Sequence, residues 1–318
     1  MTPDGPFFIV LNAGSGKRDV ATTEAIIRGV LEEAGRGYDL ARVDHPRQLP
    51  TLARRAAELA QQHQGTVVAA GGDGTLNAVV QAALPSGRPF GVLPQGTFNY
   101  FGRAHGIPED TTQATRVLLD ATVRPASVGL VNDRVFLINA SLGLYPRLLE
   151  ERELYKQQFG RSRLVALGAG VITLLRDHRP LVIGLEHESQ SRVLRTPTLV
   201  VGNNPLQLEQ IGIPHVPALQ EGRLVAMAVR PIGTLALFGL LYRGALGQLG
   251  DTDNVVSFAF DRLTVRPYRR RRIKVAVDGE VVWLRTPLVF QVAPQSLPLL
   301  VPARTLTTSS ADADEAAR

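Results

Sequence analysis

Five residues, Gly71-Gly72-Asp73-Gly74-Thr75, stand between an apolar β-branched run, Thr66 to Ala70, and an apolar-periodic segment, Leu76 to Leu84. Strand, glycine turn and helix in that order form a phosphate cradle. Glycines let backbone N–H groups approach an anion closely, and a helix N-terminus adds about half a positive charge. Asp73 qualifies that reading. A carboxylate inside an anion nest repels bare phosphate, so its presence points to a metal ion or a substrate hydroxyl. Three more groups have chemical potential: Asn12-Ala13-Gly14-Ser15-Gly16-Lys17, Gly96-Thr97-Phe98-Asn99, and Asp278-Gly279-Glu280 between the β-type runs Ile273 to Val277 and Val281 to Leu284. Taken alone, Asp-Gly is a common hairpin turn signal.

Two familiar phosphate fingerprints are excluded. A Walker loop needs glycine five residues before its Gly-Lys pair, but Leu11 stands there, and Arg18 replaces the required Ser or Thr. The dinucleotide pattern fails as well, since Asn77 occupies the place of the third glycine after Gly72 and Gly74. Hydride transfer thereby loses its main support.

The elements that must position these groups alternate from Phe7 to about Pro125. Strand-like Phe7–Leu11, Tyr38–Val43, Thr66–Ala70 and Phe90–Leu93 are separated by helix-like Val20–Ala34, Leu49–His63 and Leu76–Leu84. This alternation predicts a parallel sheet with helices on both faces, whose ligands bind at the carboxyl ends of the strands. All three glycine-bearing turns fall at those ends. After a helix over Thr111–Leu119, capped by a threonine, the texture changes to short β-type runs between turn residues. An antiparallel sandwich or barrel-like second domain is expected, interrupted by helical inserts at Arg147–Arg176 and Ile232–Gln248. The expected organisation is an α/β domain over 1–125, a β-rich domain over 126–303 and a disordered, polar tail over 304–318.

The chain has 318 residues, 44% of them hydrophobic and 20% charged, enough for two cores. It has no cysteine, which excludes a thiol nucleophile, a disulfide framework and zinc–thiolate chemistry. The six histidines are scattered without metal-site spacing. The formal net charge of +6 favours anionic partners, either nucleotides or an anionic bilayer. Nucleic acid is disfavoured, because aromatics are only 6% and the basic residues form one short run rather than an aromatic-interleaved face. The N-terminus lacks signal-peptide character and no stretch reaches ~18 apolar residues, so a cytoplasmic location is expected.

In the order of its four motifs, from about Phe7 to Pro302, the chain resembles the diacylglycerol kinase catalytic-domain family, which includes bacterial lipid kinases akin to sphingosine kinases and is remotely related to NAD kinases. The resemblance implies a two-domain enzyme using ATP and Mg²⁺, with the nucleotide in the interdomain cleft. Asn12 and the Ser15, Gly16, Lys17 turn would contact the nucleotide, Gly71, Gly72, Asp73, Gly74 and Thr75 its phosphates, and Gly96, Thr97 and Asn99 its ribose or adenine side. Glu280 would be the proton acceptor, with Asp73 and Asp278 as its catalytic partners. It further implies a lipid substrate met at the inner membrane face, peripheral attachment, and a monomer or homodimer. Relatives bind a structural Mg²⁺ through a late Asp-Gly turn, for which Glu221-Gly222 is the nearest match here.

Departures from the family pattern are also visible. Tyr100 and Ser127 stand where many bacterial relatives carry aspartates, and Asp44 where they often have an ATP-contacting threonine. Two alternatives therefore stay open: a kinase of a soluble acceptor such as NAD, and a nucleotide- or lipid-binding protein whose catalysis has decayed. For membranes, Tyr268-Arg269-Arg270-Arg271-Arg272, with Arg266 and Lys274, is a dense cationic run, equally readable as a solvated loop.

Overall fold

The computed structural model describes residues 4–14, 19–147, 149–150, 180–187, 190–233, 236, 239–240, 242–243, 246–250 and 252–303. Ser15, Gly16 and Lys17, the 304–318 tail, most of the Arg147–Arg176 insert and part of the Ile232–Gln248 insert lie outside them.

The first sheet has central runs, Phe7–Leu11, Thr66–Gly71 and Phe90–Pro94, buried on both faces, which in a parallel sheet are near-continuous apolar strings. Its strands are β1 (Phe7–Asn12), β2 (Tyr38–Val43), β3 (Thr66–Gly71) and β4 (Phe90–Pro94), all parallel, and β5 (Thr122–Ala126). Helices α1 (Val20–Glu33), α2 (Leu49–Gln62), α3 (Asp73–Ala83), α4 (Tyr100–Ala104) and α5 (Thr111–Asp120) lie between them in the chain. Helix α5 is capped by Asp110, whose carboxylate accepts from the Gln113 N–H, and not by a threonine as expected. Aspartate serves the cap as well as a hydroxyl does.

The second half forms two six-stranded antiparallel sheets. One contains β6 (Gly129–Val131), β7 (Arg134–Phe136), β9 (Leu181–His187), β10 (Gln190–Thr196), β14 (Arg262–Pro267) and β17 (Leu288–Val292), in the order β10-β9-β14-β17-β6-β7. The other contains β8 (Asn139–Gly143), β11 (Thr198–Gly202), β12 (Leu224–Val229), β13 (Val255–Phe260), β15 (Arg272–Val277) and β16 (Glu280–Arg285), in the order β13-β12-β11-β8-β15-β16. A shared core, including Phe136, Leu142, Val201, Phe260, Val275 and Phe290, joins the inner faces of these sheets. Alternation along β15 puts Ile273, Val275 and Val277 into it. Short helices α6 (Pro205–Gln210) and α7 (Val216–Gln220) link β11 to β12.

One strand departs from the expected organisation. β18 (Leu297–Val301), which the sequence places in the second domain, returns to the first sheet between β4 and β5. It runs parallel to β4, with Leu299 opposite Phe90, and antiparallel to β5. Leu297, Leu299 and Leu300 are buried there against the α/β core. An apolar run of five residues does not reveal which of two apolar cores takes it.

Candidate active site

The carboxyl ends of β1, β3 and β4 bring their three turns together. Helix α3 begins at Asp73 with Gly72 as its N-cap, in extended conformation. A side chain at Gly71 would collide with Thr75, whose Cβ lies 2.5 Å from the added Cβ position, and Thr75 is itself held by Asn12 through an Nδ2–Oγ1 hydrogen bond of 2.8 Å. At Gly96 an added Cβ would lie 2.8 Å from the Cα of Gly72, so the β3 and β4 turns meet backbone to backbone. Only glycine permits this close approach. Asn99 is in the left-handed region at φ 48° and buried. It fixes the turn, accepting from the Gly96 N–H at 2.8 Å and donating to the Gly96 carbonyl. Thr97 and Gly74 are exposed at the rim.

Asp73 ties the β3 turn to α4. Its two carboxylate oxygens accept from the backbone N–H groups of Tyr100 and Phe101, each at 3.2 Å. Burial pushes this carboxyl above the ordinary aspartate range, while those N–H groups and the Arg103 charge oppose the rise.

The hairpin β15–β16 reaches the same place from the other half of the molecule. Asp278 (φ 46°) and Gly279 (φ 89°) form its two-residue turn, matching the paired positive φ values of a type I′ turn. The Asp278 carboxylate accepts four N–H bonds: Asn77 Nδ2 at 2.7 Å, Leu137 N at 2.7 Å, Ile138 N at 2.9 Å and Asn139 N at 3.0 Å. Burial raises its pKa to about 6, and the four donors limit the rise. Asp278, expected beside Glu280 as a catalytic group, thus spends its oxygens on tying the turn to Asn77 and to the backbone of residues 137–139. Glu280, the next strand's first residue, is exposed, and no described residue hydrogen-bonds its carboxylate.

Sequence reasoning passed over Asn77. Its amide donates both to Asp278 and to the Val135 carbonyl at 2.8 Å, joining the helix of the glycine turn to the hairpin that carries Glu280. Its position on α3, two residues after the glycine turn, was the available signal, because a short amide has little reason to sit mid-helix unless it bonds outward.

Asp73 and Glu280 line one cavity of about 670 Å³. Its walls include the rings of Phe98, Tyr100 and Tyr145 and the side chains of Ile138, Leu149 and Val281. Phe98 and Tyr100 stack nearly parallel, at 5.6 Å between centroids and 8° between planes. The Tyr100 hydroxyl meets Gln210 Oε1 of α6 at 3.0 Å. Asn12, Gly72 and Thr75 are not among the lining residues, whereas Phe98 of the Gly96–Asn99 turn and Asp73 of the Gly71–Thr75 turn are. Glu221 stands elsewhere, exposed and ion-paired with Arg223 at 2.5 Å. Among the described residues no three His, Asp or Glu side chains gather at metal-binding reach. No described helix is long and apolar enough to cross a membrane.

Comparison with known proteins supports the family resemblance. Residues 6–131 match the diacylglycerol kinase catalytic domain. An uncharacterized protein of Synechocystis is 26% identical over 277 residues, 83% of this chain and 62% of that protein. A protein named diacylglycerol kinase from Bacillus subtilis is 37% identical over 133 residues, 41% of this chain and 43% of its own length. The matched stretches therefore span less than two thirds of these curated relatives. Among solved structures, that of a diacylglycerol kinase from Bacillus anthracis superposes with a TM-score of 0.70 at 18% identity, covering 93% of this chain and 96% of that one. At that identity the likeness establishes the fold: an α/β domain followed by an antiparallel, sheet-rich one.

Proposed function

We propose, for a chain whose residues 6–131 match the diacylglycerol kinase catalytic domain, that the protein transfers the γ-phosphoryl group of ATP to a hydroxyl of diacylglycerol or a related lipid. The observation that carries this reading is the single cavity shared by Asp73, anchored in the glycine turn, and Glu280, arriving from the acceptor half. A polar floor and a wall of three aromatic rings suit an amphiphile, with its hydroxyl at the carboxylates and its apolar part on Phe98, Tyr100 and Tyr145.

The nucleotide would rest on the Gly71–Thr75 and Gly96–Asn99 turns, where side-chain bulk is excluded and α3 presents its N-terminus. The acceptor oxygen attacks the γ-phosphorus, the bond from that phosphorus to the β,γ-bridging oxygen breaks, ADP leaves, and the hydroxyl proton passes to Glu280. Glu280 takes that proton late, as the new bond forms. Positioning thus contributes more than deprotonation. Mg²⁺ would neutralise triphosphate charge. Asp73 would hold it together with phosphate oxygens and water. Asn77 and Asp278 act as positioning residues, fixing the Glu280 hairpin against α3.

The test is ATP-dependent phosphorylation of a panel holding glycerolipids, sphingoid bases and NAD. Transfer to a glycerolipid is expected, falling about 10²- to 10⁴-fold in Glu280→Gln with nucleotide affinity retained. Transfer to NAD alone, or nucleotide binding with no transfer, refutes the proposal.

A further inference from the structure

β16 carries Glu280 at one end and leads away from the cavity along an exposed edge, since β16 pairs with β15 only. Its inward side chains, Val282 and Leu284, join the sandwich core, so Val281, Trp283 and Arg285 face outward. Trp283 is 59% exposed. An indole left in water invites a reason, because burying a ring of this size is strongly favourable. Lys274 of β15, directly opposite in register, holds its ammonium 5.4 Å from the indole centroid.

Beyond Trp283 the strip becomes cationic. Arg272 pairs in register with Arg285. The preceding loop is fixed against this end of the hairpin, for the Arg270 carbonyl accepts from Thr286 Oγ1 at 2.5 Å and the Arg271 carbonyl from the Thr286 N–H at 3.1 Å. Residues 268–272 are all exposed, Tyr268 at 63%. No described carboxylate forms an ion pair with Arg269, Arg270, Arg271, Arg272 or Arg285. An aromatic flanked by such a row is the arrangement that interfacial segments present to acidic headgroups. At about 3.4 Å per residue, Trp283 stands about 10 Å from Glu280 along the strand and Arg285 about 17 Å.

Resting on the lipid-kinase reading, we propose that Trp283, Arg285 and the Tyr268–Arg272 loop form the face that docks on an anionic bilayer, bringing the Glu280 mouth of the cavity to the lipid surface. Charge complementarity selects the partner. Arginine guanidinium groups meet acidic lipid headgroups, and the indole and phenol enter the interfacial layer.

Trp283 is the only tryptophan of the chain, so it reports on itself. With vesicles of phosphatidylcholine containing 30% phosphatidylglycerol, its emission should shift to the blue, and less so as salt is raised. Phosphatidylcholine vesicles alone should give little shift. Replacing Arg269, Arg270, Arg271 and Arg285 by glutamine should weaken vesicle partition several-hundredfold, at roughly fivefold per arginine, and the matching set of lysines should restore most of it. Co-sedimentation with no change in Trp283 emission would overturn the proposal, since another face would then be docking. So would a glutamine variant that folds and partitions as the wild type does, or an emission shift that depends on protein concentration without vesicles, which marks a second copy as the occupant. Transfer by the wild type to a short-chain, water-soluble diacylglycerol without vesicles tests the kinase reading separately.

Discussion

Replacing Asn77 measures the link between the two halves of the site. Asn77→Ala removes one hydrogen bond to a buried carboxylate and one to the Val135 carbonyl. Bonds to a charged acceptor contribute about 1.5–3 kcal/mol and neutral ones about 0.5–1.5 kcal/mol, so a loss of about 2–4 kcal/mol is expected. Asn77→Asp has nearly the same shape and a different physics. It sets two carboxylates about 3 Å apart, where repulsion at an effective dielectric of about 20 amounts to about 5–6 kcal/mol, enough for the pair to retain a proton near neutral pH. Because the folded pair then binds a proton more tightly than the unfolded chain does, the stability is present below the unfolded carboxylate range and is lost as pH rises through the folded value. The wild-type Asp278, already raised to about 6, has the same sign. Urea unfolding followed by far-ultraviolet circular dichroism, at pH 5 and pH 8, checks both points. The Asp variant should nearly match the Ala variant at pH 5 and fall well below it at pH 8. A constant gap at the two pH values, or an Ala variant within about 0.5 kcal/mol of wild type, would refute the reasoning.

Three other outcomes are expected. Gly96→Ala forces a Cβ to within 2.8 Å of the Gly72 backbone, so nucleotide affinity by titration calorimetry should drop at least tenfold and stability by about 1–3 kcal/mol. Gly91→Ala, away from the site, would press on Leu118 Cδ2 at 2.6 Å; a similar cost in thermal unfolding should come with unchanged nucleotide affinity. Burial lowers the His105 imidazole to about 4, so the folded state binds its proton less readily than the unfolded chain does. Wild-type stability should therefore fall relative to His105→Phe as pH drops from about 6.5 to 4, and a parallel pair of pH profiles would count against this.

Much of the site was legible because its chemistry is local. Gly71-Gly72-Asp73-Gly74-Thr75 announces its strand, turn and helix within a dozen residues, and the alternation around it fixes a parallel sheet. What stayed hidden depends on contacts far apart in sequence. The role of Asp278 follows from N–H groups of residues 137–139 and from Asn77, none of which its neighbours in the chain disclose. Tyr100 read only as a missing aspartate, and its partnership with Phe98 and Gln210 appears once α4 and α6 lie side by side. The destination of Leu297–Val301 was equally invisible, because β18 is apolar enough for either core.

That last strand bears on how the polypeptide is made. The ribosome releases β4 and β5 long before Leu297–Val301 emerges, and until then the slot between them has no occupant. The α/β half is thus completed only after the antiparallel sheets have been translated, although its own first strands come before them, and its nascent form must wait with two open edges, a state prone to mispairing. A stop codon just before Leu297 would spare every motif and still leave the central sheet with a missing plank.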